Sequence, residues 1–285
     1  SQWLLNDRAI TIQVPYDVNY PGYVRPNTLA TAASGGWIWE IPLQNRRAWG
    51  YVHSSAHLSE DQAETELRQH IGSFASDCPA RAVPFKVGYR SEAWSGNCIA
   101  IGLAGGFIEP LESTGLYLSD LAAVMLAEHF PYHDDLAPLA FRFNRIVRNR
   151  FLEIVDFINL HHCLTRRDDN DYWREVGKPE RIHDRVRAKL DYWRHKPPSP
   201  SDFEDACFLT DGAVDTGGVF GLSSYEAILY GMDFLRDECD RWYGKDRPAT
   251  QIMTPIALRT QLARETMPSQ QEWLQQICGM PDYSR

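Results

Sequence analysis

No apolar stretch of the chain approaches the ~20 residues needed to span a bilayer, and residues 1–13 lack the basic, apolar and small-residue order of a secretory signal. A soluble, cytoplasmic protein without a membrane partner is the expectation. Positive charge is also scarce: 29 Lys and Arg face 38 Asp and Glu, for a net charge of -9, and no long basic run offsets it. Such a surface repels a phosphate backbone, which argues against nucleic acid as a partner. The cysteines Cys78, Cys98, Cys163, Cys207, Cys239 and Cys278 form no CxxC and no Cys/His ligand spacing. Reduced thiols and no structural metal are expected. Internal repeats and low-complexity tracts are missing too. What remains is a globular composition, 44% hydrophobic and 24% charged, long enough for one large domain or two ordinary ones.

Nowhere does a GxGxxG follow a strand and open a helix, so a complete dinucleotide-binding unit is not encoded. The chain opens instead on what reads as the middle of a sheet. Ala9, Ile10, Ile12 and Val14 predict a strand over residues 7–15, followed by strands over 36–43 and 49–55 joined by a polar hairpin at 44–47. Ser59 is a candidate N-cap for a surface helix over 59–71, with Glu60 and Asp61 in its first turn. A short strand is expected at 85–90, and a buried strand at 98–103 with Cys98 as a core thiol. Helical periods follow at 116–130, 139–162, 223–235 and 252–265, with loops at 196–202 and 211–218. The expected fold is α+β: a β-rich part over residues 1–115, then a mainly helical part over 116–285.

Two segments carry chemistry. From Trp94 to Tyr117 an apolar strand runs through Gly102, Gly105 and Gly106 into Pro110-Leu-Glu-Ser-Thr-Gly115, which enters a helix. Such a turn exposes N–H groups at the positive end of a helix, where an anion or the polar edge of a flavin can be held. Glu112 sits there and is able to take a substrate proton, or merely to cap the helix. In the second segment, alternation puts Trp37, Trp39 and Ile41 on one face of a strand, either an aromatic wall for a ligand or ordinary core packing. His161-His162 makes a poor metal pair, because adjacent helical residues point about 100° apart, and reads as packed or surface histidine. Serine-hydrolase and calcium-loop settings are not found around Ser54-Ser55, Ser223-Ser224 or Asp168-Asp169.

Trp37-Ile-Trp39-Glu-Ile41-Pro42 matches a WxWxIP signature, and Phe107, Pro110, Ser113 and Gly115 match FxxPxxSxG. In this order the two motifs resemble flavin-dependent halogenases of the tryptophan halogenase type. The likeness runs on through residues 6–9, 50–52, 54–55, 143–144, 156–157 and 166–173, and thins afterwards. It implies the rear part of a flavin-monooxygenase-like domain with antiparallel strands, followed by a helical domain that covers the substrate. It also implies an enzyme of secondary metabolism in which reduced FAD, delivered by a separate flavin reductase, and oxygen convert chloride or bromide to hypohalous acid. That oxidant passes through a tunnel to an electron-rich aromatic.

By the same resemblance Glu112 orients the halogenating species and supports a cationic arenium intermediate. Thr114 and Gly115 bind the halide, and Gly102, Leu103, Ser113, Thr114 and Gly115 border the flavin. Trp37, Trp39, Ile41, Pro42, Phe107 and Pro110 form the motif walls. The family's catalytic lysine belongs to an amino-terminal part that this sequence does not match, and Lys86, Lys178, Lys189, Lys196 and Lys245 read as surface charges. Where the family closes an aromatic pair over indole, this sequence has Phe220 and Tyr225 in an altered setting, so the substrate class is kept to an indole-like aromatic. Expected partners are that substrate, the reductase, an amino-terminal flavin-binding half and a second copy in a homodimer. The isolated chain is expected to be inactive. The competing readings are a flavin-dependent monooxygenase and a non-catalytic remnant that binds an aromatic ligand or partner chain.

Overall fold

Strand alternation builds the sheet of one part of the molecule and helical periodicity the core of the other. The computed structural model describes residues 2–16, 24–204, 218–235 and 249–279, which fall into two packed units, residues 7–84 with 243–285 and residues 1–6 with 85–242. The mixture is the expected one, an antiparallel sheet and a helical region. Among the described residues no helix is long and apolar enough to cross a membrane.

In the first unit β1 (Arg8–Pro15), β2 (Leu29–Ala33), β3 (Gly36–Pro42), β4 (Arg46–His53) and β5 (Ala80–Pro84) form one sheet in the order β2-β3-β4-β1-β5. Tyr51 stands opposite Ile10 on one side and Ile38 on the other, so the three share a face. Helix α1 (Glu60–Ile71) covers that face with Ala63, Leu67 and Ile71. Ser59 begins it as expected, in a reciprocal capping box with Gln62. Trp37, Trp39 and Ile41 lie on the opposite face. The Trp39 indole crosses Gly50, where a Cβ would come within 2.2 Å of the ring. Strands β2 and β5, which the sequence did not announce, are the two sheet edges; LATAA and ARAVP bury little and carry no alternation of large apolar residues. Helices Ala249–Thr266 and Gln270–Cys278 complete this unit, the second packing Leu274 on Tyr16 and Val24.

His53 ends β4 fully buried, with no hydrogen-bond partner for either ring nitrogen among the described residues. Burial pushes its pKa down, partly opposed by the nearby charge of Asp7. The unfolded chain therefore takes up this proton more readily than the folded one, and stability is lost as pH falls through the ordinary histidine range. His53→Phe should stabilise the fold by about 1–3 kcal/mol at neutral pH by removing the unsatisfied polar atoms. The gain should widen as pH drops from 7 to 5.5 in parallel urea melts of the two proteins. A constant or negative difference would contradict this account.

The second unit opens with the paired two-residue strands β6 (Gly88–Tyr89) and β9 (Gly106–Phe107), and β7 (Trp94–Ser95) and β8 (Cys98–Ile99). Of the buried strand expected over 98–103 only Cys98–Ile99 pairs as a strand, and it is not buried. Gly102 takes φ 62° and the chain turns into a 3-10 helix over Gly102–Ala104, leaving Leu103 79% exposed and Cys98 exposed rather than in the core. Helices α2 (Thr114–Glu128), α3 (Ala137–Cys163), α4 (Asp171–Val176), α5 (Asp184–Trp193), α6 (Ser201–Glu204) and α7 (Leu222–Gly231) follow. The loop expected at 211–218 lies, up to residue 217, outside the described residues.

Helix α3 organises this unit. Its first half is amphipathic, with Phe143, Val147 and Phe151 inward, and from Glu153 to Leu160 every residue is buried. Polar side chains in that stretch must find partners inside the protein. Glu153, Asp156, Asn159 and His162 recur every third residue, and each ties α3 to another part of the unit. Glu153 accepts from Arg150 and from the Phe220 amide; Asp156 meets His183 and Arg185. Asn159 donates to the carbonyls of Trp3 and Arg181 and accepts from the His183 amide, and His162 meets Glu109.

Candidate active site

Between β9 and α2 the chain reads Ile108-Glu109-Pro110-Leu111-Glu112-Ser113. Pro110 at φ -71° starts a single 3-10 turn, and then Glu112 and Ser113 are consecutively left-handed, at φ 66° and 54°. For residues with a Cβ this costs about 1–3 kcal/mol each, so the surroundings must hold the turn. Helix α2 starts at once at Thr114, and no side chain caps it. Its first amides have no intrahelical acceptor and carry the positive end of the helix dipole. They border a cavity of about 270 Å³ whose lining includes Gly102, Leu103, Phe107, Glu109, Thr114 and Gly115. Several residues singled out from the sequence thus meet at one hollow. Space beside Gly115 is open, with nothing within 4 Å of the position a Cβ would take.

Two neighbouring histidines at the end of α3 hold the turn. His161 Nε2 lies 3.1 Å from Glu112 Oε1, and His162 Nε2 lies 3.3 Å from Glu109 Oε1. Glu109 is buried and also accepts from the Asn6 amide at 3.4 Å, while Tyr172 donates to Asn6 Oδ1 at 3.0 Å. Glu112 remains 37% exposed at its side chain. The hydrogen bond from His161 draws its pKa below the ordinary glutamate value, against the opposing effect of partial burial. Glu112 is therefore paired across to α3; Ser113, not Glu112, occupies the position preceding the helix.

His161 also links Glu112 to the aromatic residues further along the chain. Its ring stands edge-on to Phe157, which stacks on Phe220 at 3.9 Å and meets Tyr225 edge-on at 4.9 Å. Phe220 and Tyr225 are both buried. Lys189, expected on the surface, is buried against Tyr225, with Nζ 3.3 Å from the hydroxyl and 4.9 Å from the ring centre. Desolvation pushes its pKa down. Lys196 is drawn in by Asp202 at 2.7 Å. Trp37, Trp39, Ile41 and Pro42 belong to the sheet of the other unit, where Trp37 is buried and Trp39 half-buried.

Sequence reasoning missed Glu109, Phe157, His161 and His162 as parts of this arrangement. A signal was present: polar residues at every third position of an otherwise apolar helical run, ending in His161-His162, mark a helix that is buried yet must pair with something. Among the described residues no three His, Cys, Asp or Glu side chains group as a metal site.

The profile of the tryptophan halogenase family matches residues 1–246. The chain is 34% identical over 279 residues to the 7-chloro-L-tryptophan 6-halogenase KtzR of Kutzneria sp. (strain 744), covering 97% of this chain and 52% of that protein. In three dimensions it resembles a tryptophan halogenase from Shewanella frigidimarina NCIMB 400, with TM-score 0.83 and 31% identity over 99% of this chain and 53% of that one. It also resembles Tar14, a tryptophan C-6 flavin-dependent halogenase from taromycin biosynthesis, with TM-score 0.81 and 30% identity over 95% and 52%. The chain spans about half the length of the curated relatives it matches.

Proposed function

The chain belongs to the tryptophan halogenase family, and we propose that, joined to a flavin-binding part, it halogenates an electron-rich, indole-like aromatic with chloride or bromide. The observation that carries this reading is the left-handed Glu112-Ser113 turn, which opens an uncapped helix onto a cavity and sets a paired carboxylate beside that helix start. The lining suits the ring end of FAD: Leu103 and Phe107 offer apolar contact, and the backbone of Gly102, Thr114 and Gly115 offers donors for a polar edge. Reduced FAD, when bound, supplies with oxygen the oxidising power that converts the halide. A separate reductase provides it in the cytoplasm.

The chain's own residues do the rest. Amides of Thr114 and Gly115 hold the halide against the helix dipole. The aromatic carbon gains a halogen and loses a proton, passing through a cation. Glu112, ionised and held by His161, stabilises that cation more strongly than the neutral ring before it and accepts the departing proton. Phe220 and Tyr225, reached from Glu112 through His161 and Phe157, form the aromatic side of the substrate region. The test supplies the protein, complete with its flavin-binding part, with reductase, oxygen and an indole-like aromatic, with and without bromide. Brominated product that requires bromide is expected. An oxygenated product formed equally well without halide would make the enzyme a monooxygenase.

A further inference from the structure

The carboxylate of Glu112 is aimed by a side chain that is itself fixed. His161 Nδ1 lies 2.8 Å from the Phe157 carbonyl, one turn back on α3, and a carbonyl only accepts, so Nδ1 donates to it. An ionised carboxylate also only accepts, so the other ring nitrogen must carry a hydrogen as well and donates it to Glu112 Oε1 at 3.1 Å, and the edge-on contact with Phe157, 4.8 Å between ring centres, sets the tilt of the ring. Among the described residues His161 is the one hydrogen-bond partner of that carboxylate. The adjacent ionisable groups, Glu109 and His162, are occupied with each other. Without His161 a glutamate 37% exposed at its side chain would rotate among solvated rotamers.

We propose that His161 is the positioning residue of Glu112, holding its carboxylate in the single orientation that the reaction uses. The imidazole does not touch the reacting atoms in this assignment; it acts through Glu112, and its second acceptor, the Phe157 carbonyl, is what makes its reach constant. The use of that orientation rests on the function proposed above, whereas the hold itself is a property of the 285-residue chain.

Two measurements separate these. In the chain itself, carrying carbon-13 at the glutamate carboxyls, the Glu112 resonance is identified by its loss in Glu112→Gln and followed against pH in the wild type, His161→Phe and His161→Gln. The midpoint should rise toward the ordinary glutamate range in His161→Phe and lie between the two in His161→Gln, whose amide still offers an N–H. Circular-dichroism melts establish that both variants fold. A midpoint unmoved in a folded His161→Phe overturns the proposal. In the protein complete with its flavin-binding part, product per flavin oxidised should fall on the order of 10²-fold in His161→Phe, the scale of a misplaced catalytic group, and recover substantially in His161→Gln. A shifted midpoint with undiminished product in His161→Phe also overturns it. If the wild type yields no halogenated product while the midpoint shifts as expected, the functional reading fails and the hold of His161 on Glu112 stands.

Discussion

Glu112→Gln, made in the protein complete with its flavin-binding part, is expected to lower halogenated product by roughly 10²–10⁴-fold, the range for losing a positioned acid–base or electrostatic group. The substitution keeps the size and reach of the side chain, and its amide oxygen still accepts from His161. What it removes is the negative charge and the capacity to take a proton. Folding should survive, because an ion pair 37% exposed on the Glu112 side is largely screened and contributes at most about 1 kcal/mol. Flavin reoxidation should continue, since it precedes the step Glu112 serves. Product, flavin consumption and melting temperature are measured in the same variant. Undiminished product would leave Glu112 a structural anchor for α3; parallel loss of product and stability would make its role structural.

Much of this was legible beforehand because it is local. Ile10, Ile12 and Val14 alternate, Ser59 precedes the acids Glu60 and Asp61, and α3 repeats at helical spacing, so the strand, the cap and the helix follow from neighbours within a turn or two. The turn at Glu112 was recognisable for its glycines and proline, and Thr114 does begin a helix. What stayed hidden was long-range. Cys98 to Leu103 is apolar enough for a core strand, but burial depends on what packs over it, and Gly102 turns the chain aside. Nothing within the helix that carries Lys189 shows that Tyr225 will cover it, so the sequence suggests a surface charge. Adjacent on a helix, His161 and His162 point about 100° apart and do not share one ligand. In the fold each faces its own glutamate, Glu112 and Glu109, 49 and 53 residues away in sequence.

Asp156→Ala should destabilise the second unit by about 3–5 kcal/mol, the scale for breaking a buried ion pair by removing one partner. Asp156 is fully buried, with Oδ1 2.6 Å from His183 Nδ1 and Oδ2 2.9 Å from Arg185 Nε, and both partners are themselves at most 16% exposed. Solvent therefore screens little of this interaction, in contrast to the pair at Glu112. Truncation leaves a guanidinium and a ring N–H facing a cavity, and the cost is the desolvation of groups that have lost their acceptor. Asp156→Asn should be damaging as well, because an amide that accepts from one partner turns its own N–H toward the other. Removing the whole set, as in Asp156→Leu with His183→Phe and Arg185→Leu, should recover much of the loss, since apolar packing can replace a buried charged cluster. Urea melts of the single, double and triple variants supply the coupling energies. A loss below about 1 kcal/mol in Asp156→Ala would show the cluster to be effectively solvated. The effect should reach the active site through α3, because Asp156 fixes the helix that carries Phe157, His161 and His162. Product formation in the alanine variant should therefore fall even at temperatures where it remains folded, and the Glu112 carboxyl should report the displaced His161 by titrating nearer its ordinary range.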